Sequence, residues 1–212
     1  MFVPLTEVVT CPTCGPEWSL VLLADRVAER RVLDGRFGCP NCRETFDVSG
    51  GFADLRPAGR GPEPDAGPAA PADGRDEAVR LAALMGLVPG VPRALLIGPA
   101  AACAPALAAL MEGLEVVVVG TATAAWRESA GVSRFAAAGR LPFRDWSMGG
   151  VTLSGGATDA FLEEGARVLS QAGRIVLEDV SERTESRLRD AGLEIVAREG
   201  ATIIARRAPF VV

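Results

Sequence analysis

The chain has 212 residues, of which 49% are hydrophobic and 23% charged, and a formal net charge of −5. That length holds one medium domain or a small one joined to a medium one, and no apolar run of about 18 residues exists that could span a membrane as a helix. Every basic residue is arginine, and histidine, lysine and tyrosine are absent. Chemistry that needs an imidazole base or an imidazole metal ligand is thereby excluded.

Val8-Val9-Thr10 leads into Cys11-Pro-Thr-Cys14, which Gly15 follows, and a second pair stands at Cys39-Pro-Asn-Cys42. Two C-x-x-C turns each aim two thiolates at one point, and the segment between them brings the pairs together, so the four sulfurs suit a tetrahedral metal. Structural zinc is the leading reading of Cys11, Cys14, Cys39 and Cys42. Rubredoxin-like iron and a redox or disulfide pair are the alternatives. The start, Met1-Phe2-Val3-Pro4-Leu5-Thr6-Glu7, lacks the basic and apolar regions of a signal peptide. The fifth cysteine, Cys103, has no partner by count, which suits a reducing compartment, so a cytoplasmic location is expected. Trp18–Leu23 and Arg31–Leu33 read as strands of a hairpin turning near Asp34-Gly35. Thr45–Val48 and Gly51–Leu55 leave the second knuckle. Residues 1–55 form this small module, which has too little core to fold without its metal. They carry five arginines against eight acidic residues, a balance that does not favour nucleic acid as a partner and points to another protein.

Residues 56–74 are rich in proline, glycine and alanine, the composition of a linker. From 75 to 212 an α/β alternation follows. A helix is expected from Arg75 to Leu87, with Asp73 as its N-cap and Pro89-Gly90 as its stop. Ala94–Ile97 is a buried strand, Ala102–Met111 a small-residue helix, and Glu115–Val119 a second buried strand. A helix is expected near Ala122–Ala130 and a strand near Ser133–Ala137. Gly150–Leu153, a helix from Thr158 to Gln171, and Arg174–Ile175-Val176-Leu177 come next. Ser181 caps a helix to Asp190, and Leu193–Val196 with Ala201–Ala205 make a terminal antiparallel pair. Buried β-branched runs between helices imply a parallel, doubly wound sheet.

Four segments of this second part resemble the class I S-adenosylmethionine-dependent methyltransferases: Leu84–Gly90 with Arg93–Gly98, Gly139-Arg-Leu-Pro-Phe143 with Asp145, Phe161–Leu177, and Ala191–Val196 with Thr202–Arg206. The two knuckles and Phe46–Phe52 resemble the small zinc ribbon that activates RNA and protein methyltransferases and is fused to some of them. The resemblance implies a Rossmann-like methyltransferase sheet behind an N-terminal zinc ribbon. It places the cofactor-binding positions at Gly98, Ala100 and Gly120. These positions depart from the family pattern. Leu96 stands where an acidic residue is expected, Gly98-Pro-Ala-Ala-Ala102 keeps one glycine of G-x-G-x-G, and Val119 is followed by Gly120 where the ribose-binding acid belongs. Alanine adds a methyl group where the backbone must approach a ligand closely. The departures weigh against S-adenosylmethionine as a bound cofactor. They imply a non-catalytic interaction or assembly subunit, with an active methyltransferase on RNA, protein or a small metabolite as the alternative. No catalytic residue is assigned. Gly98–Cys103 also fits the dinucleotide pattern at one glycine only. Glu178 and Asp179 end a strand on the ligand-binding edge, as an acid–base pair or as caps before Ser181. Trp146 is expected to cover the edge of the core, Arg183, Arg187 and Arg189 to form a solvated helix face, and Ala208–Val212 to fray.

Overall fold

The computed structural model describes residues 1–57 and 67–208. The tail residues 209–212 and the middle of the linker, 58–66, lie outside the described residues. After a 3₁₀ turn at Val3–Val8, strands β1 (Thr10–Cys11) and β2 (Gly15–Ser19) pair antiparallel across the first knuckle. Strands β3 (Val21–Ala28), β4 (Arg31–Gly38), β5 (Thr45–Ser49) and β6 (Phe52–Asp54) form an antiparallel meander. The hairpin turns at Glu29-Arg30, both left-handed at φ +49° and +61°, and not at Asp34-Gly35. Asp34 and Gly35 lie inside β4, opposite a break in register of β3. A Cβ at Gly35 would sit 2.4 Å from the Leu23 carbonyl oxygen, so this glycine marks a bulge where two backbones close up.

The second part follows the expected alternation: α1 (Arg75–Met85), β7 (Arg93–Ile97), α2 (Ala104–Leu110), β8 (Glu115–Val119), β9 (Val132–Ala136), β10 (Met148–Leu153), α3 (Gly156–Val168), β11 (Leu169–Leu177), α4 (Thr184–Asp190), β12 (Leu193–Glu199) and β13 (Thr202–Arg207). Helix α1 stops at Met85 because Gly86 takes the left-handed conformation at φ +64° and returns its N–H to the Ala82 and Ala83 carbonyls. Gly74, not Asp73, precedes it, without a side-chain cap. No helix forms at 122–130; the chain makes a 3₁₀ turn at Thr121–Ala125 and passes straight to β9. Helix α3 ends at Val168, and the residues expected to continue it open β11.

The strand order is β12-β13-β11-β10-β7-β8-β9, continuing into β6-β5-β4-β3. Strands β7 to β11 run parallel, while β13 is antiparallel to both β11 and β12. This seven-stranded order, with its reversed penultimate position, is the doubly wound methyltransferase-type sheet. The metal module is not a separate body. Strand β6 pairs parallel with β9, Phe52 opposite Arg134 and Ala53 opposite Phe135, so both parts share one 11-stranded sheet. Alternation along the buried strands then gives two cores. Leu96, Val116 and Val118 pack under α1 and α2 with Leu81, Met85 and Leu107. Leu95, Ile97, Val117 and Val119 face the other side. There α3 supplies Phe161 and Leu162, and the module supplies Met1, Leu5, Val9, Phe37 and Phe46. The N-terminal segment thus covers sheet surface beside the β9–β10 crossover, which carries no α-helix and adds Leu141 and Phe143 to the same core.

Candidate metal centre and carboxyl-edge site

The Sγ atoms of Cys11, Cys14, Cys39 and Cys42 all lie within 4.8 Å of one another. Cys11 and Cys42 stand 3.7 Å apart, Cys14 and Cys39 3.8 Å. Four sulfurs at about 2.3 Å from one tetrahedral ion are separated by about 3.8 Å, so the spacing matches a tetrathiolate cage. The Cys14 amide donates to Cys11 Sγ at 3.4 Å and the Asn41 side-chain amide to Cys14 Sγ at 3.3 Å, the outer contacts that orient thiolate ligands. Cys11 and Cys39 are buried, Cys14 is half-buried and Cys42 exposed. Burial pushes the Cys11 thiol up to about 12. At Cys39 burial acts the same way, but the Cys42 and Asn41 amides and neighbouring thiols outweigh it and bring the thiol to about 7. A bound dication supplies the charge that keeps such sulfurs ionised.

The second site is the carboxyl edge of the parallel strands, where α/β sheets bind ligands. Gly98 ends β7 at φ +84°, and a Cβ there would lie 2.0 Å from the Ser154 carbonyl oxygen. The glycine therefore lets β7 and β10 meet. Pro99–Cys103 is a 3₁₀ turn in which Ala100 and Ala101 are buried. The Ala100 amide donates to Ser154 Oγ at 2.9 Å, and that hydroxyl donates to the Ile97 carbonyl at 3.1 Å. Gly120, at the end of β8, donates its amide to the Phe135 carbonyl at 2.8 Å and accepts from Thr123 Oγ1 at 2.7 Å. Gly98 and Ala100 are thus brought together around Ser154, and Gly120 stands one strand away.

Asp179, left-handed at φ +57°, accepts the Gly155 amide at 3.1 Å ahead of α3, and Glu178 pairs with Arg80 of α1. Asp179 thus holds the start of α3, and Glu178 ties the end of β11 to the middle of α1. Cys103 is buried and donates to the Ala100 carbonyl at 3.3 Å, and burial raises its thiol to about 11. Trp146 does not cover the core: it is 57% exposed, with φ +59°. Arg187 bridges from α4 to Asp159 and Glu163 of α3, and Arg189 pairs with Glu185.

Two features escape a reading of sequence. One is a charge cluster where the parts join, buried at Arg31 and Glu115 and open to solvent at Glu128. Arg31 of β4 pairs with Glu115 of β8 at 3.2 Å and with Glu128 at 3.0 Å, and Ser133 Oγ donates to Glu115 at 2.5 Å. Arg134 spends its guanidinium on the carbonyls of Thr123, Trp126 and Gly50. The other is the course of linker residues 67–74. Gly67 lies against Gly120 and the Val119 carbonyl, the Trp126 indole N–H donates to the Pro68 carbonyl at 2.9 Å, and the Ala72 amide donates to the Ala102 carbonyl at 2.9 Å.

No protein-family model and no curated protein matches this chain. Among solved structures, 91 chains match. One is a candidate methyltransferase from an antibiotic biosynthesis pathway of Anabaena variabilis, 23% identical, covering 47% of this chain and 43% of that one, with a TM-score of 0.37. This chain therefore spans less than half of that protein. A second is precorrin-6y C5,15-methyltransferase from Geobacter metallireducens, 15% identical over 64% of this chain and 90% of that one, TM-score 0.44. A third is the complex of the Haloferax volcanii Trm112 methyltransferase activator with a candidate methyltransferase, 21% identical over 59% and 75%, TM-score 0.40. The fold assignment rests on the strand order itself. No described helix is long and apolar enough to cross a membrane.

Proposed function

We propose that this protein is a zinc-binding, methyltransferase-like subunit that works by contact with another protein and does not transfer methyl groups. The observation that carries the reading is the closed loop after β7. The amide of Ala100, which the family resemblance would turn toward a cofactor, is bonded to Ser154 Oγ. Ala100 and Ala101 are buried, and Gly98 is pressed against Ser154. No carboxylate follows Val119 to hold a ribose. The residues present do not fit S-adenosylmethionine. Hydrogen bonds to charged groups are worth about 1.5–3 kcal/mol each, and losing several weakens binding on the order of 1,000-fold or more. Zinc suits the four-sulfur cage, a closed site with no open coordination position; its role is structural.

Calorimetric titration with S-adenosylmethionine tests the reading. Absence of binding at millimolar ligand is expected, and micromolar binding would return the protein to the active methyltransferases. Metal analysis should find one zinc per chain.

A further inference from the structure

The carboxyl edge that offers no cofactor loop is not bare. Residues Gly67-Pro-Ala-Ala-Pro-Ala72 cross it. Gly67 is in van der Waals reach of Gly120, its Cβ position lying 3.5 Å from the Gly120 Cα and 3.8 Å from the Val119 carbonyl oxygen. Trp126, 6% exposed, donates its indole N–H to the Pro68 carbonyl at 2.9 Å. A cavity of about 400 Å³ follows, walled on one side by Ala69, Ala70 and Pro71 and on the other by Pro105, Trp126 and Arg127. The Ala72 amide then donates to the Ala102 carbonyl, and Gly74 passes so near Cys103 that a Cβ would lie 3.1 Å from its side chain.

We infer that this edge is a groove for proline- and alanine-rich peptide, and that the chain's own segment 67–72 is its occupant. The inference rests on the reading that the edge is not a cofactor site. Three features fit such a ligand. Proline holds φ near −65° and carries no N–H, so each proline restricts the segment and leaves carbonyls as its strongest polar groups, with the bend confined to Ala69-Ala70. A buried indole N–H answers one of those carbonyls, the pattern by which aromatic-lined grooves take proline-rich segments. Small side chains let Gly67 and Pro68 sit half-buried beside Gly120 and Trp126, beyond which Ala69–Ala72 stay exposed along the cavity. The tether supplies a high effective concentration, so modest contacts suffice to keep the groove filled. A proline-rich segment of a partner would bind by displacing the linker.

The first test uses the unaltered protein. The Ala72 amide and the Trp126 indole N–H should exchange with solvent at least about tenfold more slowly than in an unstructured chain, and exchange at the unstructured rate would overturn the inference. The second uses the full chain with residues 67–72 replaced by glycine and serine. Trp126 is the buried one of the three tryptophans, since Trp18 and Trp146 are exposed, so blue, quench-resistant emission reports on it. In the replaced chain that emission should shift red. Synthetic Gly-Pro-Ala-Ala-Pro-Ala added in trans should restore it, and a proline-free Gly-Ala-Ala-Ala-Ala-Ala should not. Restoration by both peptides or by neither counts against a proline-selective groove. If the replaced chain does not fold, the exchange rates of the unaltered protein decide. S-adenosylmethionine serves as the third arm. Restoration by it in the replaced chain alone would make the groove a nucleoside site; micromolar binding to the unaltered chain would overturn the non-catalytic reading and the groove with it, whereas failure of the peptide arm with no S-adenosylmethionine binding would overturn the groove alone.

Discussion

Arg31 and Glu115 are 84 residues apart in the chain and buried together, at 8% and 5% exposure. A charge taken out of water needs its partner, and removing one side of such a pair strands the other. Arg31→Ala should therefore cost about 3–5 kcal/mol in urea unfolding, far more than loss of an exposed pair such as Arg189–Glu185. Thr152 poses the opposite case. Its hydroxyl, on β10, is the one buried side-chain polar atom among the described residues without a hydrogen-bond partner. Leaving a buried polar group unpaired costs about 1–3 kcal/mol, so Thr152→Val should raise stability by about 1 kcal/mol, read as a higher denaturant midpoint at unchanged slope. Neither residue could be singled out from sequence, because both effects depend on partners that the chain order does not bring together. The four cysteines were legible for the converse reason: each knuckle is local, and only thiols at that spacing aim two sulfurs at one point.

At the scale of elements, the buried strands and their parallel pairing were readable from β-branched runs such as Val116–Val119, while the strand order came only with the structure. The failures have physical causes. Asp34-Gly35 carries a turn signal but marks a bulge, since what the backbone needed there was room and not reversal. The segment 122–130 reads as a helix, yet Trp126 packs into the core beneath α1 and α2 and Arg134 takes the Thr123 and Trp126 carbonyls, so a single 3₁₀ turn buries that surface and its backbone groups are satisfied without a helix. The clamp between module and sheet runs through the loop before β10. Phe143 bridges to Val9, the Thr10 amide donates to the Pro142 carbonyl and the Arg144 amide to the Val8 carbonyl, both at 2.9 Å. Phe143 also meets Phe135 of β9 edge to face, with ring centres 5.2 Å apart. Truncating a fully buried phenylalanine costs about 3–5 kcal/mol. Phe143→Ala should lose that much and also speed hydrogen exchange at the Thr10 amide. Exchange unchanged at Thr10 would show that the clamp holds without the ring.

At the scale of the whole molecule, the shared sheet changes what a metal held by the four cysteines would do. From sequence, residues 1–55 look like a small folding unit whose metal stabilises that unit alone. In the structure their apolar side chains belong to one core with Leu95, Val117 and Phe161, and β6 is hydrogen-bonded into the same sheet as β9. Binding that favours only the folded state stabilises everything that folds with it, and a structural metal site contributes folding energy directly. Stripping the metal with a chelator, or replacing Cys14 by serine, should therefore lower a single melting transition seen alike by far-ultraviolet and near-ultraviolet circular dichroism. The methyltransferase-like part carries most of that signal yet contains none of the ligands. If the module folded by itself, loss of metal would instead split the melt, leaving the transition of residues 75–207 at its original temperature. A sheet that runs unbroken from β12 to β3 favours the single, shifted transition, because unfolding β3 to β6 exposes the edge of β9 and the face on which Leu5 and Val9 lie.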